Sequence, residues 1–500
     1  MKIFFINLLF LISLSASTLT LSISSSPSRI NPILSHDSAS SEISNWLFNG
    51  LFKYDKNGNI TTELAKEYHF ETSTKLIIKL KEDVLWHDKV KLTSKDLVFT
   101  YEKIIDPKVF NSIKSYFKEV KSVKALDDFT IEIIYNKPYF KALEIWMFGL
   151  LPYHLLKDEE DLMTSSFNKN PIGTGSYMLK EFKTSSDIEL IANDDFFEGR
   201  PKIDRILYKF LPDSNTSFLY LKQNKLDIAG LTPMQVSRQI DNKFKEDFTI
   251  LKTPSFSFSY LGFNLENPKF KDIKVRQALS YAINRQELVD ILFFGYAKVC
   301  NGPFMPNTFA YNSEVKDTKQ DLEKAKKLLN DAGYNEENPL IFEVVTNTGN
   351  DIRINTAQII QHQLSKIGVQ VKIRVMEWQA FLNTVVHPRN FETVILGWSL
   401  ALMPDAYPLW HSNSAKLGSF NIVSYKNKRV DELIEKGMIT IDKKELATIY
   451  KEIFKQISDD LPYLFLYIPD GISAINKKIK NIDPAFIGVM HNQKDWEIEE

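Results

Sequence analysis

The sequence is poor in the groups that carry covalent and metal chemistry. Its one cysteine, Cys300, excludes an internal disulfide framework and is expected to be a buried, inert thiol. The eight histidines, His36, His69, His87, His154, His362, His387, His411 and His491, are scattered, with no close pair at metal-ligand spacing. There is no H-E-x-x-H, Walker loop, G-x-S-x-G elbow or paired C-x-x-C. An enzymatic role, a cofactor and a resident metal are therefore not expected. Positive charge is not in excess either. Lys and Arg number 62 against 63 Asp and Glu, so nucleic acid is not an expected partner. Beyond the first residues no segment is long and apolar enough to span a bilayer. No repeat, low-complexity region or long Pro/Gly/Ser linker stands out, so the domains are expected to share an extensive interface.

What is present is an ordinary globular balance, 44% hydrophobic and 25% charged, in 500 residues, too many for one compact core. The first residues differ from the rest. Lys2 precedes the apolar run Ile3 to Leu14, and small residues follow at Ser15-Ala16-Ser17. This is the order of a secretory signal peptide, read as residues 1–17 and cut near Ser17. A membrane anchor is the alternative, but the run is short of the ~20 residues a span needs. No cysteine follows it, so no lipid anchor is expected. Removal takes one lysine and no acid, moving the net charge from −1 to −2.

Leu19, Leu21 and Ile23 alternate with polar residues, as in a half-buried strand. Thr93 stands three before Asp96 at a capping-box-like helix start. Gly173 and Gly175 in "IGTGSY" lack the third glycine of a phosphate loop and read as a turn. His87-Asp88 reads as a surface turn. From Asp272 onward helices and strands alternate. "PLIFEVVTN", "DIRINTAQIIQHQLSKIG" and "VQVKIRV" form a strand, a helix ending at Gly368, and a second strand: a βαβ unit with parallel strands. A helix from about Glu377 to Val386 then leads to the strand "FETVILGW". Trp398 thus lies at the carboxyl end of a parallel strand, outside which open α/β sheets bind ligands.

Several ordered blocks resemble one family. They are "LWHDKVKLTSKDLVFTYEKI", "NPIGTGSYMLKEF", "NDDFFEGRPKIDRILYKFLPD", "LKQNKLDIAGL", "YLGFNLENPKFKDIKVRQALSYAINRQELVD", "FETVILGWSLALMPDAYPLWHS" and "NKRVDELIEKG". Together they are similar to the extracellular solute-binding proteins of ABC importers, in the oligopeptide-, dipeptide- and nickel-binding group. The resemblance implies an α/β protein of two lobes joined by crossing strands, with ligand enclosed between them. Lobe one would span 18–265, with an extra subdomain at about 56–168. Lobe two would span 266–470, and 471–500 would return to lobe one. The crossings are expected near Tyr260–Asn264 and Gly471–Ile475.

The resemblance also implies a peptide's amino terminus held by an aspartate three residues after the loop tryptophan. Here that position is Ala401, and the first acid is Asp405. The candidate ligand-binding residues are Trp398, Ala401, Asp405, His36 and Trp378. Trp410 and His411 read as packing and surface residues. The leading expectation is a monomeric periplasmic receptor that delivers a small peptide to an inner-membrane ABC permease. A receptor for a nickel chelate or other metal-organic ligand is the alternative. A secreted peptide hydrolase is the reading of another class, opposed by the missing nucleophile and metal motifs.

Overall fold

The computed structural model describes residues 16–499 except 36, 112, 185 and 212. The leader read at 1–17 therefore lies outside the described residues but for Ala16 and Ser17, and His36 lies outside them too. The fold is built on two large sheets. The first contains Thr18–Ile23, whose Leu19, Leu21 and Ile23 are buried while the residues between them are half-exposed. This period of two fixes which face of the strand meets the core. The strand pairs in parallel with Arg205–Phe210. The sheet has seven strands in the order Phe248–Thr253, Gly471–Asn476, Ile228–Gly230, Thr18–Ile23, Arg205–Phe210, Asp187–Ala192 and Tyr177–Lys183.

A separate four-stranded sheet, Ala65–Thr72, Lys75–Leu80, Thr130–Tyr135 and Val120–Ala125, carries the helix Ser94–Ile105. Leu76, Ile78, Ile131 and Ile133 are its buried face. The Thr93 backbone N–H donates to Asp96 Oδ2 at 2.8 Å, which fixes the start of the helix. The buried Asp96 also accepts from the Tyr153 N–H at 2.8 Å, tying that start to the short helix Tyr153–Leu156.

The second large sheet has six strands: Ala297–Val299, Tyr463–Pro469, Ser257–Phe263, Thr393–Ser399, Ile341–Asn347 and Gln370–Met376. Ile341–Asn347 and Gln370–Met376 run parallel, joined by the helix Asp351–Ser365. Both faces of this sheet are covered. Along Tyr463–Pro469, Tyr463 and Phe465 enter one apolar cluster while Leu464 and Leu466 enter the other. A strand with two dry faces reads as a continuous apolar run rather than an alternating one. Between Glu377 and Val386 a short helix, Trp378–Phe381, gives way to a π-turn, Leu382–Val386.

The chain passes from the first sheet to the second between Thr253 and Ser257, and returns between Pro469 and Gly471. Tyr260 to Phe263 therefore lie within the lobe-two strand, and Gly471 to Ile475 within the strand that rejoins lobe one. At the return, Lys252 Nζ meets Asp470 at 2.7 Å. The lobes also touch far from these crossings. The Phe140 N–H donates to the Met438 carbonyl at 3.2 Å. Lys118 lies 4.6 Å above the Tyr407 ring.

Cys300 is buried, and burial pushes its thiol up to about 12. His87 is buried, not on the surface. Its Nδ1 accepts from the Gly173 N–H at 3.1 Å, so the proton sits on Nε2 and is donated to the Gly175 carbonyl at 3.1 Å. The turn at 173–175 is pressed on the end of the helix Ser38–Leu47. A Cβ on Gly173 would overlap the Leu47 carbonyl, and one on Gly175 that of Trp46.

Candidate functional site at the lobe interface

The strand Thr393–Ser399 lies between Ile341–Asn347, parallel to it, and Ser257–Phe263, antiparallel to it. Near its carboxyl end the backbone must pass close to its neighbour. A Cβ on Gly397 would stand 2.9 Å from the Phe258 carbonyl oxygen, which explains a glycine before the tryptophan. Trp398 is half-buried. Its ring lies parallel to Tyr260 at 6.3 Å, and Tyr260 stacks on Tyr463 at 3.9 Å. The indole N–H donates to the Tyr463 hydroxyl at 3.2 Å. Phe420, 61% exposed, meets Trp398 edge-on at 5.9 Å. One side of Trp398 is thus anchored in the lobe-two core, and the other meets an exposed aromatic.

Sequence reasoning missed Arg353. It lies in the first turn of Asp351–Ser365, just beyond the carboxyl end of the parallel strand Ile341–Asn347. Its Nη1 donates to Asn347 Oδ1 at 2.8 Å, and its guanidinium lies 5.8 Å from the Trp378 ring. Its Nη2 would stand 3.6 Å from a Cβ on Gly397. Burial disfavours its charge and lowers its pKa, with the Tyr467 and Tyr260 hydroxyls acting the other way. A guanidinium stays protonated regardless. Among the described residues it forms no ion pair. The signal that could have found it is its place at the strand-to-helix turn of the βαβ unit.

Trp378, 38% exposed, lies beside Arg353, whose other end approaches Gly397, the residue before Trp398. Ala401 and Asp405 sit on the loop that turns toward lobe one. Ala401 lines a cavity of about 190 Å³ otherwise formed by lobe-one residues. Asp405 is half-buried, and its Oδ1 accepts from the Tyr407 N–H at 3.0 Å to start the short helix Tyr407–Trp410. Burial first, and then the Asp405 carboxylate, raise the pKa of both Tyr139 in lobe one and Tyr450 in lobe two. Asp405 thus lies between the lobes, and among the described residues it forms no ion pair.

Trp410 is core. His411 is buried as well, stacked on Tyr407 at 4.3 Å. The Asn413 N–H donates to its Nδ1 at 3.0 Å, and Nε2 donates to Glu435 at 3.2 Å. Asp37, which follows His36, caps the helix Ser38–Leu47 by accepting from the Ser40 N–H at 2.7 Å. With Glu42, Ser41 and Gln493 it borders a lobe-one pocket of about 570 Å³. No group of three or more potential metal-ligating side chains occurs among the described residues.

The profile of the bacterial extracellular solute-binding proteins, family 5 (Middle), matches residues 59–420. The chain is 32% identical over 492 residues to the oligopeptide-binding protein AppA of Bacillus subtilis, covering 94% of this chain and 89% of that protein. The structure of AppA in complex with a nonapeptide superposes with a TM-score of 0.81 at 30% identity, covering 97% of this chain and 99% of AppA. NikZ from Campylobacter jejuni in complex with Ni(L-His) gives 0.82 at 32% identity, with 97% and 100% covered. The ABC transporter substrate-binding protein CtaP from Listeria monocytogenes gives 0.88 at 28%, with the same coverage. These likenesses run from end to end through both lobes, and the chain belongs to the bacterial extracellular solute-binding proteins of family 5, a family of binding proteins rather than enzymes.

Proposed function

We propose that this protein is the exported receptor of an ABC importer and that it captures a small peptide between its lobes. The observation that carries the reading is Arg353, a half-buried cation with no described acid partner at the carboxyl end of a parallel strand. A buried charge costs free energy unless an opposite charge meets it. A peptide's carboxylate meets that need. Asp405, an anion between the lobes with no described basic partner, is the counterpart for the peptide's ammonium, the role that Ala401 cannot fill. Trp378 lies beside the guanidinium, Trp398 ends the adjoining strand, and both are assigned to contact the ligand's backbone and side chains. His36, next to the lobe-one pocket residue Asp37 in sequence, is the proposed contact from that lobe. The partner is an inner-membrane permease, the receptor acts as a monomer in the periplasm, and residues 1–17 are removed on export.

A second reading, a receptor for a nickel chelate, draws on the likeness to NikZ with its bound Ni(L-His). A chelator's carboxylate would suit Arg353 equally. Calorimetry separates the two. Trialanine, N-acetyl-trialanine, trialanine amide, and nickel with and without L-histidine are titrated into the mature protein. Losing one partner of a buried charge pair costs roughly 2–5 kcal/mol. The amide is therefore expected to bind about 30-fold or more below trialanine, and Arg353→Gln to abolish that difference. The acetylated peptide is expected to behave in the same way toward Asp405→Asn. Binding of nickel with histidine, but of no peptide, would favour the second reading.

A further inference from the structure

The cavity beside Ala401 has a composition that bears on ligand choice. Its walls are Ile113, Tyr116, Phe117, Ile145 and Phe148, all from the lobe-one subdomain. They are held firmly. Phe117 packs edge-on against Trp146 at 5.2 Å and Phe148 at 5.4 Å, and the Trp146 indole donates to the Tyr135 hydroxyl at 2.8 Å. Two charged residues border the same space, and they satisfy one another. Lys141 Nζ lies 3.2 Å from Glu144 Oε2, and the Tyr54 hydroxyl donates to Glu144 Oε1 at 2.7 Å. The cavity therefore offers an incoming side chain no net charge. Lobe two supplies only Ala401, so the pocket is complete only when the lobes are together.

We infer that this cavity is a side-chain specificity pocket that takes one apolar side chain of the ligand, up to the size of phenylalanine. The inference rests on the peptide reading above and deepens it. An apolar cavity of about 150 Å³ holds a benzene molecule, so about 190 Å³ accommodates a phenyl group and its methylene. The fused ring of tryptophan is larger. The pocket also gives position 401 a role of its own. A carboxylate there would stand against apolar walls with Glu144 close by, whereas a methyl group completes the wall. Because the side chain is buried against both lobes, its transfer from water favours the closed state over the open one.

The test uses trialanine and tripeptides in which each alanine in turn is replaced by Phe, Leu, Trp, Asp or Lys, titrated calorimetrically into the full mature protein. At one position Phe is expected to bind about ten- to a hundred-fold more tightly than Ala, with Leu close behind and Trp, Asp and Lys weaker than Phe. In Ala401→Leu, whose side chain enters the cavity, the Phe-to-Ala affinity ratio at that position should fall toward one. In Ile113→Ala, which widens the cavity, the Trp-to-Phe ratio should rise. Peptide binding with no position that prefers Phe over Ala, or with ratios that neither variant moves, overturns the pocket while leaving the peptide reading in place. A best ligand carrying Asp or Lys at that position does the same. If no tripeptide binds, the peptide reading fails and the pocket assignment fails with it.

Discussion

At the scale of single residues, charge and its burial separate function from support. Arg353 and His87 are both basic side chains, the first half-buried and the second buried, and they meet different surroundings. His87 gives both ring nitrogens to the backbone at 173–175. Burial pushes its pKa down from 6.5 to about 4. As pH falls, the unfolded chain therefore takes up the proton first. The contribution to stability is whole above about pH 6.5 and is lost as pH falls toward 4, to a total of roughly 3 kcal/mol. Urea unfolding at pH 7 and pH 4.5 should show a larger loss in wild type than in His87→Gln. Equal losses in the two proteins would show that His87 does not titrate in this way. Arg353 meets an amide oxygen and an indole ring but no carboxylate among the described residues, and that is why it is assigned to the ligand.

At the scale of elements, glycines distinguish close packing from backbone conformation. Gly368 ends the helix-to-strand turn of the βαβ unit with φ +78°, and a Cβ there would meet nothing within 4 Å. An alanine at this position is strained only by its backbone, at about 1 kcal/mol. Gly173 is different, because its Cβ would overlap the Leu47 carbonyl and the helix end must shift. Gly173→Ala should cost several times more than Gly368→Ala in denaturant midpoint, and the reverse order would contradict this account of the turn. The βαβ unit is legible in the sequence because its signals are local: alternating Val and Ile, a helical period and a terminal glycine. The placement of Trp398 follows from the same signals. Arg353 is not legible as a site residue, since its neighbourhood depends on parallel pairing between Val344–Val345 and Thr393–Val394, about 50 residues away. His87 reads as a surface turn in the sequence because its partners lie 86 and 88 residues on. Ala401 visibly lacks a charge, but the cavity it completes needs the other lobe.

At the scale of the whole molecule, the two large sheets are joined, among the described residues, by two crossings, at 254–256 and at Asp470, so motion between them is the expected response to a ligand. The contacts of Phe140 with Met438 and of Lys118 with Tyr407 are the kind that closure forms and opening breaks. Small-angle scattering should therefore give a smaller radius of gyration with saturating peptide than without, and an unchanged radius with peptide bound would count against a closing cleft. The central claim, that the cleft holds a peptide, is tested most directly by identifying what the protein carries. Receptor purified under native conditions from its own bacterium is denatured, and the released small molecules are analysed by mass spectrometry. The account predicts short peptides with a free carboxyl terminus and an apolar residue at one position. Release of nickel with histidine or another chelator, and no peptide, would contradict it.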